Sequence, residues 1–217
     1  MKPETSLRKI EQSLLNFQEC LSTDKAFRDA YYYILGQYFG DGCISKHART
    51  YRLRIFAAIE YPQIIKEVEA CLKILFPLNS IAYCNKPGCI EISVYSNTIP
   101  IMFPHCGIGK KHERMIVLSE IQYEFIREES PLLLKGLFHS DGCYYRQRTL
   151  NDGTEVMNYS FSNKSNDIHR IYQLALSYCG IEYSFHGKTK DDDSFMITGI
   201  YKRYEVDKAF SLIGRKS

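Results

Sequence analysis

Hydrophobic and polar positions along the chain follow two periods, one helical and one strand-like. Apolar residues return every three or four positions in several segments, which predicts amphipathic helices. These segments are 6–21, 62–76, 165–179 and a final one that carries Val206, Phe210 and Ile213. Alternating or β-branched stretches predict strands, the first beginning at Cys43 and the others at 51–56, 78–84, 89–95, 143–148, 156–163, 181–187 and 194–199.

The predicted elements occur in the same order twice. Each half reads helix, two strands, helix, two strands, helix, which predicts an α+β fold of two pseudo-symmetric αββαββα halves, each with a four-stranded antiparallel sheet. We assign 1–24 to an N-terminal helical extension, 25–104 to the first half, 105–118 to a basic, irregular linker and 119–217 to the second half.

One short motif is present in both halves, and its two copies lie one hundred residues apart. The first copy runs from Ile34 to Cys43 and the second from Leu134 to Cys143. Each copy is predicted to be a helix that stops at the glycine after the aspartate, and Pro131 is predicted to begin the second helix. Small residues recur one helical turn apart in both copies, so the two motif helices are expected to pack closely. The small residues are Gly36 with Gly40, and Gly136 with Ser140.

The motif aspartates, Asp41 and Asp141, are predicted to meet where the two helices end. A helix C-terminus is already partly negative, so each carboxylate there costs about 0.3–1 kcal/mol, and two close carboxylates raise one another's pKa. A divalent cation between them would remove both penalties. The alternative is an ordinary Asp-Gly turn at a helix end. Two copies in register make that alternative less favourable and predict a metal site.

The duplicated motif resembles the signature of the LAGLIDADG homing endonuclease family in its single-chain, two-motif form. The resemblance covers about residues 25–215 through the order of elements and is loose at the middle motif positions. It implies motif helices at the interface of the halves, two sheets that form a saddle on double-stranded DNA, and Mg²⁺-dependent cutting of both strands. By this match Asp41 and Asp141 are metal ligands, with the backbone carbonyls of Gly40 and Ser140 as further ligands and Mn²⁺ as an alternative cation.

Two further catalytic candidates follow from the same resemblance, because family members often carry a Lys or Gln near the end of the second strand, close to the scissile phosphates. Asn163 could hold the attacking water and Lys164 could stabilise negative charge on the phosphate. A solvated lysine at the end of a strand is an equally good interpretation of Lys164. The matching place in the first half has Glu60 before Tyr61, which predicts unequal chemistry on the two strands.

Positive side chains recur on the predicted hairpins and give a candidate DNA-binding face. Arg52 and Arg54 share one face of their strand, as do Arg146 and Arg148, and such cations can contact guanine edges or phosphates. The alternative is a sheet face that is merely solvated. The full set of predicted DNA-binding residues is Lys46, His47, Arg49, Arg52, Arg54, Arg146, Gln147, Arg148, Lys188 and Lys190.

The amino-acid composition excludes few functional classes of protein. The net charge of +3 permits nucleic-acid binding without requiring it. We expect an intracellular monomer with internal pseudo-two-fold symmetry, because no secretion signal or membrane segment is evident. On that basis we interpret the eight cysteines as free thiols. Zinc binding around Cys84, Cys89 and His105 is disfavoured by the spacing. A non-cleaving DNA-binding regulator and an RNA splicing helper on the same scaffold stay open as alternatives.

Overall fold

The computed structural model describes residues 3–103, 105–107, 110–148, 155–187 and 196–217, without the side chains of 3–7 and of His112. Within these residues the helices are α1 (Pro3–Thr23), α2 (Lys25–Phe39), α3 (Pro62–Leu75), α4 (Ile99–Met102), α5 (Glu120–Asp141), α6 (Asn166–Tyr178) and α7 (Arg203–Ile213). The strands are β1 (Gly42–Lys46), β2 (Tyr51–Ala58), β3 (Ile81–Lys86), β4 (Cys89–Ser96), β5 (Gly142–Arg148), β6 (Glu155–Asn163), β7 (Ser184–His186) and β8 (Met196–Ile200).

Each half of the described structure contains one antiparallel four-stranded sheet. The strand orders are β1-β2-β4-β3 and β5-β6-β8-β7, so the second sheet repeats the topology of the first. The predicted α+β fold with two pseudo-symmetric halves is confirmed. Among the described residues, no helix has both the length and the apolar character needed to span a membrane.

Helix α2 lies at the centre of the molecule, and every residue from Ala30 to Phe39 is buried. Its three consecutive tyrosines are all buried and face different neighbours. Tyr31 and Tyr32 donate hydrogen bonds of 2.5 Å to the carbonyl oxygens of Met102 and Gln122, respectively. Burial of three adjacent positions requires protein on more than one side of the helix, and α5 and α4 supply it.

The two motif helices, α2 and α5, contact each other backbone to backbone through their glycines. A Cβ atom on Gly36 would lie 2.5 Å from the Leu133 carbonyl oxygen and 2.6 Å from the Leu137 nitrogen. A Cβ on Gly136 would overlap the Tyr33 carbonyl oxygen and come within 3.0 Å of the Gln37 nitrogen. Both positions therefore require glycine for close approach, as the small-residue pattern predicted.

We expect Gly136→Ala to destabilise the protein by about 3 kcal/mol or more, because the added methyl group meets backbone that cannot rotate away. Equilibrium unfolding in urea measures the change. Gly107→Ala is the matched control, since its Cβ would meet only the Arg114 side chain, at 3.4 Å or more. Equal stability of the Gly136→Ala variant and the wild type would contradict the close packing of α2 and α5.

One predicted helix boundary is wrong, and the two motif glycines differ from their predicted conformation. Pro131 lies inside α5, which begins eleven residues earlier behind a capping box formed by Ser119 and Gln122. At the other end α5 stops just before Gly142, as predicted, and α2 ends at Phe39, two residues before Asp41. Gly42 and Gly142 do not adopt the left-handed conformation, however, because each is the first residue of a strand. They are small because each strand starts against the last turn of its own helix, where a Cβ would overlap Tyr38 or Phe138.

The N-terminal helix α1 contacts the body through its second half. Phe17 and Leu21 are buried, and the Phe17 ring packs edge-on against Tyr31 at 5.1 Å. Ile10, Leu14 and Leu15, in the first half, are exposed. The predicted amphipathic helix therefore exists, but only part of its apolar face is covered by this chain. Residues 151–153, between the predicted strands 143–148 and 156–163, lie outside the described residues.

Candidate functional site

The close packing of α2 and α5 brings the two motif carboxylates to the same end of the helix pair. Asp141 ends α5, and Asp41 follows the last residues of α2. Gly40 lies against Ser140, and a Cβ on Gly40 would be 3.2 Å from Oδ2 of Asp141. The negative charge of Asp41 also acts on the ionisation of Asp141. The structure thus brings together the four residues predicted to surround the metal.

Both carboxyl groups titrate above their ordinary range. Burial is the main cause that raises the pKa of Asp141 to about 6; the neighbouring Asp41 charge also raises it, and a hydrogen bond from Asn163 lowers it. That bond runs from the Asn163 amide nitrogen to Oδ2 of Asp141 and is 2.6 Å long. Burial also raises the pKa of Asp41, while Lys216 and Lys111 lower it. Two crowded carboxylates without a cation are therefore an electrostatic cost to the fold.

We expect Asp141→Asn to stabilise the protein at pH 7.5, because a pKa raised in the folded state means that ionisation opposes folding. The free-energy cost of ionising Asp141 in the folded protein is absent well below the ordinary pKa of 3.8. It is complete above the folded pKa of about 6. The difference in melting temperature should therefore shrink toward zero as pH falls from 7.5 to 4. Thermal unfolding with a chelator present measures it, and Asp29→Asn is the control. A variant less stable than the wild type at pH 7.5 would contradict the repulsion.

Two lysines that the sequence did not single out contact the same site. Lys111 Nζ donates to the carbonyl oxygens of Tyr38 at 2.5 Å, of Phe39 at 3.0 Å and of Gly40. Lys216 Nζ donates to the Ser140 carbonyl oxygen at 2.6 Å. Burial lowers the pKa of Lys111 to about 8, with the two aspartates opposing the change, and lowers the pKa of Lys216 as well.

These lysines occupy matching places in the two halves, since each follows the last helix of its own half. Lys111 comes after α4 and Lys216 after α7. The two lysines lie one hundred and five residues apart in the sequence. Aligning the C-terminal ends of the two halves could therefore have identified them. Each lysine neutralises the negative end of a motif helix and adds positive charge beside the carboxylate pair.

The donor atoms at this site suit a hard cation. Two carboxylates and the backbone oxygens of Gly40 and Ser140 are all oxygen donors, which Mg²⁺ and Ca²⁺ prefer. Among the described residues no group of three or more His, Cys, Asp and Glu side chains could hold a metal. Mg²⁺ usually binds through one or two carboxylates and takes its other ligands from water and phosphate. The residues present therefore fit Mg²⁺ bound together with a phosphate-bearing ligand.

A cleft of about 280 Å³ opens beside Asp141 and contains both of the predicted strand-end residues. Asn163 reaches Asp141 directly, whereas Lys164 is exposed at the cleft wall. The remaining lining residues come from both halves. They are Phe39, Gly40, Lys111, Ser162 and Ile168.

Strand register corrects the predicted counterpart of Lys164 in the first half. Gly42 pairs with Ile55, and Gly142 pairs with Phe161. Counting two and three residues onward, Asn163 corresponds to Ala57 and Lys164 to Ala58, so Glu60 is not the equivalent residue. The first half thus has no polar side chain at either position, and the asymmetry is larger than the sequence indicated.

The open face of the first sheet, which we define as the face away from the helices, carries the predicted arginines. Leu53, Ile55 and Ala57 are buried against the core, so Arg52 and Arg54 point to the open face. Lys46, His47 and Arg49 are exposed at the β1–β2 connection, where the His47 ring contacts Tyr95 at 5.4 Å. His47, Arg49, Arg52 and Arg54 are suitably placed to contact a ligand on this face. Lys46 pairs with Tyr51 in the same alternation as Ile44 with the buried Leu53, so it lies on the helix-side face, contrary to the prediction.

The second sheet differs from the prediction. Arg146 pairs with Met157 and Arg148 with Glu155, in the same alternation as the partly buried Tyr144 and the fully buried Tyr159. Arg146 and Arg148 therefore share a face, but it is the helix-side face, and the expected recurrence of positive charge on both open faces is wrong. Gln147 lies on the open face. Lys188 and Lys190 lie outside the described residues.

No family model matches this sequence, and no curated protein matches it. Solved structures do match its fold. Variants of the homing endonuclease I-DmoI superpose with a TM-score of 0.59 at 17% sequence identity, over 87% of this chain and 97% of that chain. The LAGLIDADG homing endonuclease I-GzeII, in complex with a DNA target, gives 0.54 at 12% identity, over 86% and 84%.

A third match is the meganuclease I-SmaMI bound to uncleaveable DNA, with a TM-score of 0.54 at 10% identity, over 85% of this chain and 84% of that chain. In all three cases the match spans most of both chains, including both halves of the repeat. At these identities the comparison establishes architecture. The chain has the fold of the single-chain LAGLIDADG homing endonucleases.

Proposed function

We propose that this protein is a site-specific endonuclease that hydrolyses phosphodiesters of double-stranded DNA with Mg²⁺ or Mn²⁺. The observation that carries the proposal is the meeting of Asp41 and Asp141 at the end of the helix pair, from which the two sheets begin. Structures of I-DmoI in complex with DNA and Ca, and with DNA and Mn, support it by analogy. We further propose that it acts as a monomer inside the cell, and its eight free thiols support the intracellular location.

The site would hold the cation through oxygen atoms of both halves. Asp41 and Asp141 supply the charge, and the carbonyl oxygens of Gly40 and Ser140 lie beside them. When bound, Mg²⁺ lowers the pKa of a water molecule and stabilises charge on a phosphoryl oxygen. Because the carboxylates lie between the two halves, a duplex lying across both open sheet faces would present its backbone to them.

The remaining polar groups orient the carboxylate and neutralise phosphate charge. Asn163 holds Oδ2 of Asp141, which fixes the carboxylate plane and leaves Oδ1 available. Lys111 and Lys216 now donate to the carbonyl oxygens and would turn to phosphate oxygens when DNA enters. A lysine with a pKa of about 8 stays mostly protonated at neutral pH and can serve as such a donor.

Two alternative functions use the same scaffold, namely a non-cleaving DNA-binding regulator and an RNA splicing helper. Neither needs a pair of carboxylates whose ionisation opposes folding. Retention of both aspartates, together with Lys111, Lys216 and Asn163 around them, favours the enzyme.

The test begins with binding and then measures cutting. Duplexes bound in Ca²⁺ are selected from a randomised pool, cloned into a supercoiled plasmid and incubated with the protein in Mg²⁺ or Mn²⁺. Site-specific nicking or linearisation is the expected result. Specific binding without cleavage in any divalent cation would favour the regulator, and preferential binding of structured RNA would favour the splicing helper.

A further inference from the structure

The open faces of the two sheets differ in chemistry more than their shared topology suggests. The open face of the first sheet carries four charged residues, Arg52 and Arg54 on β2, Glu91 on β4 and Lys86 on β3. On the second sheet, the described open-face positions of β5, β6 and β8 carry no charged side chain. They are Cys143, Tyr145, Gln147, Val156, Asn158, Ser160, Ser162, Ile197 and Gly199.

From this difference we propose that the two halves select base pairs of different composition, guanine under the first sheet and adenine under the second. The proposal rests on the proposed function, since it assumes that DNA lies on the open faces. It assigns Arg52 and Arg54 as guanine readers, Gln147 as an adenine reader, and two buried residues, Glu91 and Asn158, as their positioning residues.

Arg52 is held in a fixed orientation by the neighbouring strand. One of its terminal nitrogens, Nη2, lies 2.5 Å from Oε1 of Glu91 and 3.0 Å from Oγ of Ser93, and its guanidinium lies 5.2 Å from the Tyr95 ring centroid. Glu91 is only 3% exposed, so it positions Arg52 and does not itself reach a base. With Nη2 held in this way and Nε buried, the Nη1 group of Arg52 is left to donate to O6 or N7 of guanine.

Unsatisfied donors support the view that this face receives a ligand. The Nε atoms of Arg52 and Arg54 are both buried without a hydrogen-bond partner in the described structure. Buried polar groups are normally paired, because an unpaired one loses its hydrogen bond to water without replacement. The two atoms lie on adjacent open-face positions of one strand, and a partner from outside the chain would reach them once the arginine side chains turn outward.

Gln147 on the second sheet is held by a buried amide in a comparable way. The Asn158 amide nitrogen donates to Oε1 of Gln147 at 2.9 Å, and Asn158 itself is 2% exposed. Gln147 is exposed, and its Nε2 group and the second lone pair of Oε1 remain for a ligand. This donor and acceptor pair matches N7 and the N6 amino group of adenine.

Selection of binding sites tests the proposal without involving cleavage. Randomised duplexes are bound in Ca²⁺, sequenced, and compared for the wild type and the variants Glu91→Gln, Arg54→Ala and Gln147→Ala. We expect the wild type to prefer guanine in one half-site and adenine in the other. Glu91→Gln and Arg54→Ala should each reduce the guanine preference about tenfold and leave the adenine preference, and Gln147→Ala should do the reverse.

Arg146→Ala is the matched control, because Arg146 neighbours Gln147 in sequence but faces the other side of the sheet. It should leave both base preferences intact, whatever it does to affinity. Half-sites of equal composition, or preferences unmoved by the variants, would overturn this proposal alone. Failure to bind any duplex would overturn the proposed function with it.

Discussion

Replacing either motif aspartate by asparagine is expected to abolish double-strand cleavage while DNA binding persists. The amide keeps the size of the side chain but removes the charge that would hold the cation. Loss of several kcal/mol of transition-state stabilisation corresponds to a rate decrease of about a thousandfold or more. Asp41→Asn and Asp141→Asn should show it separately, since the two carboxylates lie side by side at the junction of the halves.

Plasmid linearisation and gel-shift affinity for the selected site together provide the measurement. Binding should stay within a few fold of the wild type or tighten, because the variants remove negative charge near the DNA backbone. The control is Asp29→Asn, at the opposite end of α2 in an exposed pair with Lys25. If Asp141→Asn cut both strands at the wild-type rate, a metal role for the pair would be excluded.

The parts of this architecture that the sequence predicted are those that local periodicity encodes. The motif glycines, the apolar spacing of α3 and α6 and the alternation of β2 each depend on residues close together in the chain. The junction at Asp41 and Asp141 was also predictable, because a repeat in register implies a two-fold arrangement. The start of α5 was not, since Pro131 is tolerated inside this helix.

The site around the carboxylates was predicted less completely because it depends on distant segments and on register. Lys111 and Lys216 come from stretches without periodicity, and only the folded chain brings them to the ends of the motif helices. A one-residue change of register moves a strand side chain to the opposite face. That sensitivity explains why Arg146 was assigned to the wrong face and why Glu60 was matched with Lys164.

The second large effect that we expect is unequal cutting of the two strands, with a nicked intermediate that accumulates. Asp141 has Asn163 and Lys164 beside it, whereas the corresponding positions near Asp41 are Ala57 and Ala58. A single positioned donor contributes about a hundredfold to a thousandfold to such reactions. The strand that faces the Asn163 side should therefore be cut at least about tenfold faster than the other.

End-labelled duplexes, one label per strand, measure the two rates separately. Asn163→Ala makes the second half resemble the first, so it should slow the fast strand toward the rate of the slow one. Ala58→Lys adds the missing cation at a half-buried strand end and should speed the slow strand. Lys73→Ala, on the exposed surface of α3, is the control. Two results would contradict this prediction: equal cutting rates for the two strands in the wild type, or equal slowing of both strands by Asn163→Ala. Either result would mean that the carboxylate pair acts as one shared centre and that Asn163 serves both strands equally.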